Sequence, residues 1–242
     1  MPPPKPWTIE AAEQLYNLEG WGLKYFGINA KGHATLQPKG ESEAVIDILD
    51  VIDDVVARDI KMPVLIRFQD ILRRRVTLIN EAFAAAIKEY GYAGRFFGVY
   101  PIKVNQLREV VEEIGAAGRP WQFGLEAGSK GELLAVLAMN ASDSLTIVNG
   151  YKDESMMRLA VLGLKLGKKV IVVIEKLSEL ELLLKAAREA AVKPMIGLRI
   201  KLQTQGSGKW RSSTGHFAKF GLTTPEILAA VEALKAEGLS DC

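Results

Sequence analysis

The feature that most constrains this chain is a pitch. Apolar runs of strand length begin at residues 96, 121, 145, 170 and 195, so successive starts lie 25, 24, 25 and 25 residues apart. The intervals carry amphipathic patterns with helical spacing over 106–118, 130–139, 153–167 and 178–191. Such alternation predicts βαβ units built on a parallel sheet. The predicted strands are 64–68, 96–100, 121–125, 145–148, 170–174 and 195–200. Several, such as Val170-Ile171-Val172-Val173-Ile174, are continuously apolar, as expected where helices cover a sheet. The units share no residue-level motif, so the period is that of a fold and not of a solenoid.

The two ends differ from this middle. Residues 1–62 form an N-terminal extension with too little sequence to close a core of its own, and residues 63–242 carry the repeating part. In the extension, Thr8 caps a predicted helix over 8–18. Strands are predicted over 23–28 and 34–36 around Asn29-Ala30-Lys31-Gly32, and a helix over 44–58. At the other end, Thr223-Thr224-Pro225-Glu226 opens a helix that stops at Gly238, where only four residues remain. The chain's 242 residues are about the length of one (β/α)8 barrel, typically ~250. Five regularly pitched units do not close eight strands, however. Two accounts stay open: an open, doubly wound sheet that is complete, or a barrel whose chain has been cut.

Composition excludes several classes. Lys and Arg total 31 against 29 Asp and Glu, a net charge of +2, which gives no global pull toward nucleic acid or an anionic membrane. The single cysteine, Cys242, cannot form an internal disulfide. No apolar run approaches the ~18 residues of a membrane span, and Met1-Pro2-Pro3-Pro4-Lys5-Pro6 lacks a signal-peptide core. The expectation is a soluble, cytoplasmic protein.

In parallel α/β folds the working residues stand at the carboxyl ends of strands. Those ends carry Lys103 and Asn105, then Glu126, then Asn149 and Lys152, then Glu175 and Lys176, then Arg199 and Lys201. Polar loops alone would produce much of this. Lys103 stands apart, because an amine at a barrel mouth loses solvent, and desolvation favours the neutral form that attacks carbonyls. A second constellation is a stretch from Ala190 to Pro225 without Asp or Glu, holding Lys193, Arg199, Lys201, Lys209, Arg211 and Lys219 around Gly206-Ser207-Gly208-Lys209-Trp210. It suits a phosphate or carboxylate, or is a solvated basic loop; its spacing is not that of a P-loop. No GxGxxG follows a strand and no GxSxG is present. His33 and His216 have no metal-spaced companions, so no metal ligand is identified.

Trp7-Thr8-Ile9-Glu10, the run from Leu15 to Gly22, the run from Tyr25 to Asn29, the run from Gly98 to Gln106 (GVYPIKVNQ), the run from Gly124 to Lys130, the run from Asn149 to Glu154 and Gly206-Ser207-Gly208-Lys209-Trp210 together resemble the biosynthetic arginine decarboxylases. These are pyridoxal-phosphate enzymes of the alanine racemase-like, fold type III class. The resemblance covers almost the whole chain. It implies an incomplete (β/α)8 TIM barrel, with the N-terminal extension belonging to a β-sandwich domain. By the same resemblance Lys103 is the lysine that holds pyridoxal 5'-phosphate as an aldimine. Glu126 is similar to an acidic residue near the cofactor, and Arg199 to an arginine beneath its ring. Lys219 is similar to a lysine that supports an active site shared across a dimer, which implies a homo-oligomer. The implied reaction takes L-arginine to agmatine and CO2, in polyamine biosynthesis, with Mg2+ associated with the family. Relatives are longer, and their further part is expected to hold a ring-stacking histidine, a phosphate loop and the residues that read the guanidinium, so this polypeptide alone is expected to be inactive. The alternatives are another decarboxylase of the class, for ornithine or diaminopimelate, or a non-catalytic module that keeps the cofactor lysine.

Overall fold

A computed structural model describes residues 6–38, 45–202 and 220–242. Among them two compact units separate, Met1–Ile79 and Asn80–Cys242. The first begins with helix α1 (Ile9–Leu15), where Thr8 Oγ1 accepts the Ala11 N–H at 3.1 Å, the cap that the sequence predicts. A four-residue helix, α2 (Leu18–Trp21), follows. Strands β1 (Phe26–Ile28), β2 (Ala34–Leu36) and β3 (Ile46–Asp47) then form an antiparallel sheet in the order β1-β2-β3. Asn29 closes the β1–β2 turn, its Oδ1 accepting the N–H groups of Lys31 and His33 at 2.9 and 3.0 Å. The strand β1 is shorter than predicted because Leu23 and Lys24 both adopt positive φ, which strand pairing does not accommodate.

The strand β3 and His33 correct the sequence reading. Asp47 ends β3 and caps α3 (Ile48–Ala57), accepting the Leu49 N–H at 3.0 Å. His33 Nδ1 lies 2.8 Å from the same carboxylate, and holds it below the usual carboxylate range. His33 is thus a structural partner and not an ordinary loop residue. Residues 64–68, predicted as a strand, form none, and Leu65 is exposed. An apolar run specifies burial, but a strand needs a hydrogen-bonding neighbour as well. Helix α4 (Gln69–Glu89) follows.

The second unit realises the pitch. Strands β4 (Val99–Pro101), β5 (Gly124–Ala127), β6 (Leu145–Val148), β7 (Lys169–Ile174) and β8 (Met195–Leu198) pair in parallel in strictly sequential order. A doubly wound sheet reverses its order at a switch point. The sequential order removes that account and leaves a singly wound α/β sheet, five strands of the barrel-type arrangement. Helices α5 (Arg108–Gly118), α6 (Lys130–Met139), α7 (Glu154–Lys165) and α8 (Leu177–Ala190) connect the strands, and α9 (Thr224–Ala236) follows β8.

The register divides the sheet into two faces. Leu125, Ala127, Val148, Val170, Val172 and Ile174 are buried in one core with helix residues such as Leu133, Val136, Met157, Ala160, Leu180 and Leu183. On the opposite face the paired positions are Pro101, Glu126, Ile147, Ile171 and Met195, and none belongs to that core. Both β4 and β5 begin three residues later than predicted. Arg119–Trp121 forms a 3-10 turn closed by Gln122 at φ 55°, so the chain enters β5 only at Gly124.

Three helix starts use a glutamate at the third helical position that reaches back to main-chain N–H groups. Glu132 of α6 accepts from Gly128 at 2.6 Å, Glu226 of α9 from Thr223 at 2.7 Å, and Glu179 of α8 from Glu175 at 2.9 Å. Helix α7 instead uses its cap residue Asp153, whose Oδ1 accepts the Met156 N–H at 2.9 Å while Lys130 Nζ approaches Oδ2 at 2.7 Å. The Lys130 hydrogen bond, first, and then those of Met156 and Ser155 hold its pKa at about 2, against 3.8 ordinarily. A lowered carboxylate stabilises the folded state fully above the unfolded value and loses that contribution as pH falls through the folded one. Asp153→Asn should therefore melt below wild type at pH 5–7, with the gap closing between about pH 4 and pH 2. A gap independent of pH in thermal melts would rule this account out. Among the described residues no helix is long and apolar enough to cross a membrane.

Candidate active site at the carboxyl ends of the strands

Lys103 stands on a 3-10 turn, Ile102–Val104, directly after β4. Ile102 is buried beneath this turn, and the Tyr100 hydroxyl donates to the Asn105 carbonyl at 3.2 Å, so the turn is held at both ends. Lys103 itself is exposed. The expected burial of its amine is not found. It nevertheless lies at the carboxyl rim of the sheet, where parallel α/β folds bind ligands.

Glu126 lies near the end of β5 and is half-buried. Its register partner on β4 is Pro101, two residues before Lys103, so the two candidates occupy neighbouring strand ends. It lies on the face shared with Ile147 and Ile171, away from the helix-packed core. The next two loops approach closely. Gly150 has a φ of +109°, and a Cβ built there would stand 2.7 Å from the Gly128 carbonyl oxygen. Only glycine fits such a position.

Arg199 follows β8 directly, three strands from Glu126 and on the far side of the rim. It pairs with Glu175, the residue after β7, its Nη1 donating to Glu175 Oε1. Its guanidinium carbon also sits 5.1 Å from the centre of the Phe220 ring. Glu175 is buried, while the arginine side chain keeps 42% of its surface exposed. Main-chain bonds fix Arg199 on both sides, its N–H to the Ile174 carbonyl at 3.0 Å and its carbonyl to the Leu222 N–H at 2.7 Å.

Lys152, one of the strand-end charges, is the largest fully buried side chain of the described residues. Its Nζ lies 3.1 Å from Glu179 Oε2 and donates to the Gly150 carbonyl. Burial pushes its pKa below the ordinary lysine range despite Glu179 alongside. The signal was present as a lysine just past an apolar strand and a glutamate in the first turn of the helix one βα unit further on. Nothing in spacing alone distinguishes that pair from two solvated charges.

Lys219, Lys209, Arg211, His216 and the Gly206-Ser207-Gly208-Lys209-Trp210 segment lie outside the described residues. Among the described residues no group of three potential metal ligands occurs. The rim offers an amine, a carboxylate and a cation, and this donor set fits an anionic aldehyde: the amine to hold the carbonyl carbon, the guanidinium to face negative charge, the carboxylate to accept a proton.

Known proteins share the sequence and the fold of this chain. A family model described as "Pyridoxal-dependent decarboxylase, pyridoxal binding domain" matches residues 76–240. The biosynthetic arginine decarboxylase of Phocaeicola vulgatus is 50% identical over 237 residues, 98% of this chain and 38% of that protein. The one from Thermosynechococcus vestitus is 48% identical over 234 residues, 96% of this chain and 37% of that protein. This chain thus spans little more than a third of the length of those relatives. Among solved structures, the biosynthetic arginine decarboxylase of Campylobacter jejuni superposes with a TM-score of 0.79 at 34% identity, covering 93% of this chain and 36% of that one. Diaminopimelate decarboxylase from M. jannaschii shares the fold, with a TM-score of 0.64 at 18% identity over 88% of this chain and 44% of that one. Singly wound topology and a match over most of the sequence lead to one kinship: this chain belongs to the pyridoxal-dependent decarboxylases and carries their pyridoxal-binding domain.

Proposed function

We propose that this chain supplies the pyridoxal phosphate-binding part of a decarboxylase that converts L-arginine to agmatine and CO2, in the service of polyamine biosynthesis. The observation that carries the reading is 50% identity across 98% of the chain to a protein named for that activity. The sequential parallel sheet with Lys103 at its carboxyl rim supports it from the side of geometry. The homo-oligomer implied by the resemblance and the cytoplasmic location expected from composition belong to the same proposal.

When bound, pyridoxal phosphate supplies the electron sink that stabilises the charge left at the α-carbon on loss of CO2. The residues of this chain orient, hold charge and move protons. Lys103 Nζ would hold the cofactor, on a turn that Ile102 and the Tyr100–Asn105 bond keep in register with the strand. Freed from the cofactor, the same amine would carry a proton to and from the substrate carbon. Glu126, on the neighbouring strand, would accept or share a proton on the cofactor's face. Arg199, already turned by Glu175, would set a positive charge against the anionic part of the site.

The test is spectroscopic. Pyridoxal phosphate added to the chain should give the visible absorbance band of a lysine-bound cofactor. Lys103→Ala should abolish that band, whereas Lys176→Ala, at a neighbouring rim lysine, should leave it. A band that survives in Lys103→Ala means that another amine holds the cofactor. Preference for L-arginine over L-ornithine and diaminopimelate in CO2 release by the polypeptide carrying this chain checks the substrate.

A further inference from the structure

Four charged side chains, Lys152, Glu179, Glu175 and Arg199, join the ends of β6, β7 and β8 in one line. Lys152 and Glu179 are paired with side chains 0% and 2% exposed. Glu179 uses both oxygens on main chain as well: Oε1 accepts the Lys152 N–H at 3.2 Å and Oε2 the Glu175 N–H at 2.9 Å. One carboxylate therefore fastens the loop after β6 to the loop after β7. Glu175, held by that bond, turns its own buried carboxylate to the Arg199 guanidinium. Only the last member, Arg199, is substantially open to solvent.

The geometry points to Lys152, Glu179 and Glu175 as positioning residues that set the Arg199 guanidinium at the rim where an anionic ligand enters. This rests on the reading of that rim as the pyridoxal phosphate site, and goes beyond it by assigning work to residues that never reach the ligand. The physical reason is mobility. An arginine at a strand end samples many rotamers, and a fixed bond to a carboxylate that is itself fixed removes that freedom before the ligand arrives. A buried ion pair is a poor source of net stability, since well-packed apolar residues often replace it without loss. Holding two loops in a defined relation is a use that apolar packing does not reproduce, because Glu179 also satisfies two main-chain N–H groups.

Two readouts separate positioning from folding. The first is the rate at which an arginine-selective dicarbonyl, phenylglyoxal, modifies Arg199, followed by mass spectrometry, which needs no cofactor. The second is the affinity for pyridoxal phosphate by absorbance titration. Glu175→Gln leaves the Lys152–Glu179 pair intact, and K152M/E179M removes the pair without stranding a charge. Both should speed Arg199 modification several-fold and weaken cofactor binding by about tenfold. That loss of affinity should vanish when the same change is made in Arg199→Ala, where the coupling has no partner. Unchanged Arg199 reactivity in both variants overturns the inference. So does faster modification with unchanged cofactor affinity, or additivity with Arg199→Ala. If Arg199 reactivity rises while the wild-type chain binds no pyridoxal phosphate, the positioning of Arg199 stands and the cofactor reading of the rim is what fails.

Discussion

Lys152→Met alone is expected to destabilise the chain by about 3–5 kcal/mol, because it leaves Glu179 as an uncompensated charge with its side chain 2% exposed. The paired K152M/E179M change should recover much of that loss, since two methionines fill comparable volume and no buried charge remains. Part of the deficit should persist, because the Lys152 and Glu175 N–H groups lose the Glu179 acceptor. Chemical denaturation of the three proteins measures the ordering directly. Equal stability of the single and double variants would mean that the pair is not what the fold depends on at this point. The comparison also bears on the rim, since recovered stability with unrecovered cofactor affinity is the signature of a residue that positions rather than merely packs.

Leu183→Ala is expected to have a second large effect, with a different signature. Leu183 lies one helical turn beyond Glu179 on α8 and is fully buried in the core under the sheet. Removing its isobutyl group sacrifices transfer free energy and leaves a cavity, at about 2–5 kcal/mol. For a domain of this size that lowers the melting temperature by on the order of 10 °C. The Glu179 hydrogen bonds are made at the carboxyl end and involve none of the deleted atoms. Below the transition, Arg199 should therefore be modified at the wild-type rate, and thermal melts paired with phenylglyoxal mapping give both answers. Faster modification of Arg199 in this variant would mean that the rim responds to any loss of core packing.

The contrast between these two variants marks what was legible in the residues. Leu183 follows from pattern: apolar positions at helical spacing on a segment between two strands predict a buried face. Lys152 does not, because a lysine after a strand reads as loop polarity until a glutamate from the next unit meets it in space. Arg199 and Glu126 were legible as strand-end charges, yet their surroundings were not. Arg199 turned out to be held by Glu175 and to lie three strands from Glu126. Lys103 was legible as the candidate amine, while hydrophobic pattern encodes neither the 3-10 turn that carries it nor its exposure.

Local chemistry determined the elements themselves. The even pitch of the last five strands, the caps at Thr8 and Thr223 and the helical spacing of the segments between strands are properties of neighbouring residues, and these survived folding with small shifts of position. Partnership between distant residues was decided only in three dimensions. It left residues 64–68 without a strand, put His33 against Asp47, and ordered the sheet as β4-β5-β6-β7-β8 rather than with a reversal. A period can state that a strand is able to form. Which backbone it bonds to, and which buried charge faces which, depends on where all the other units come to rest.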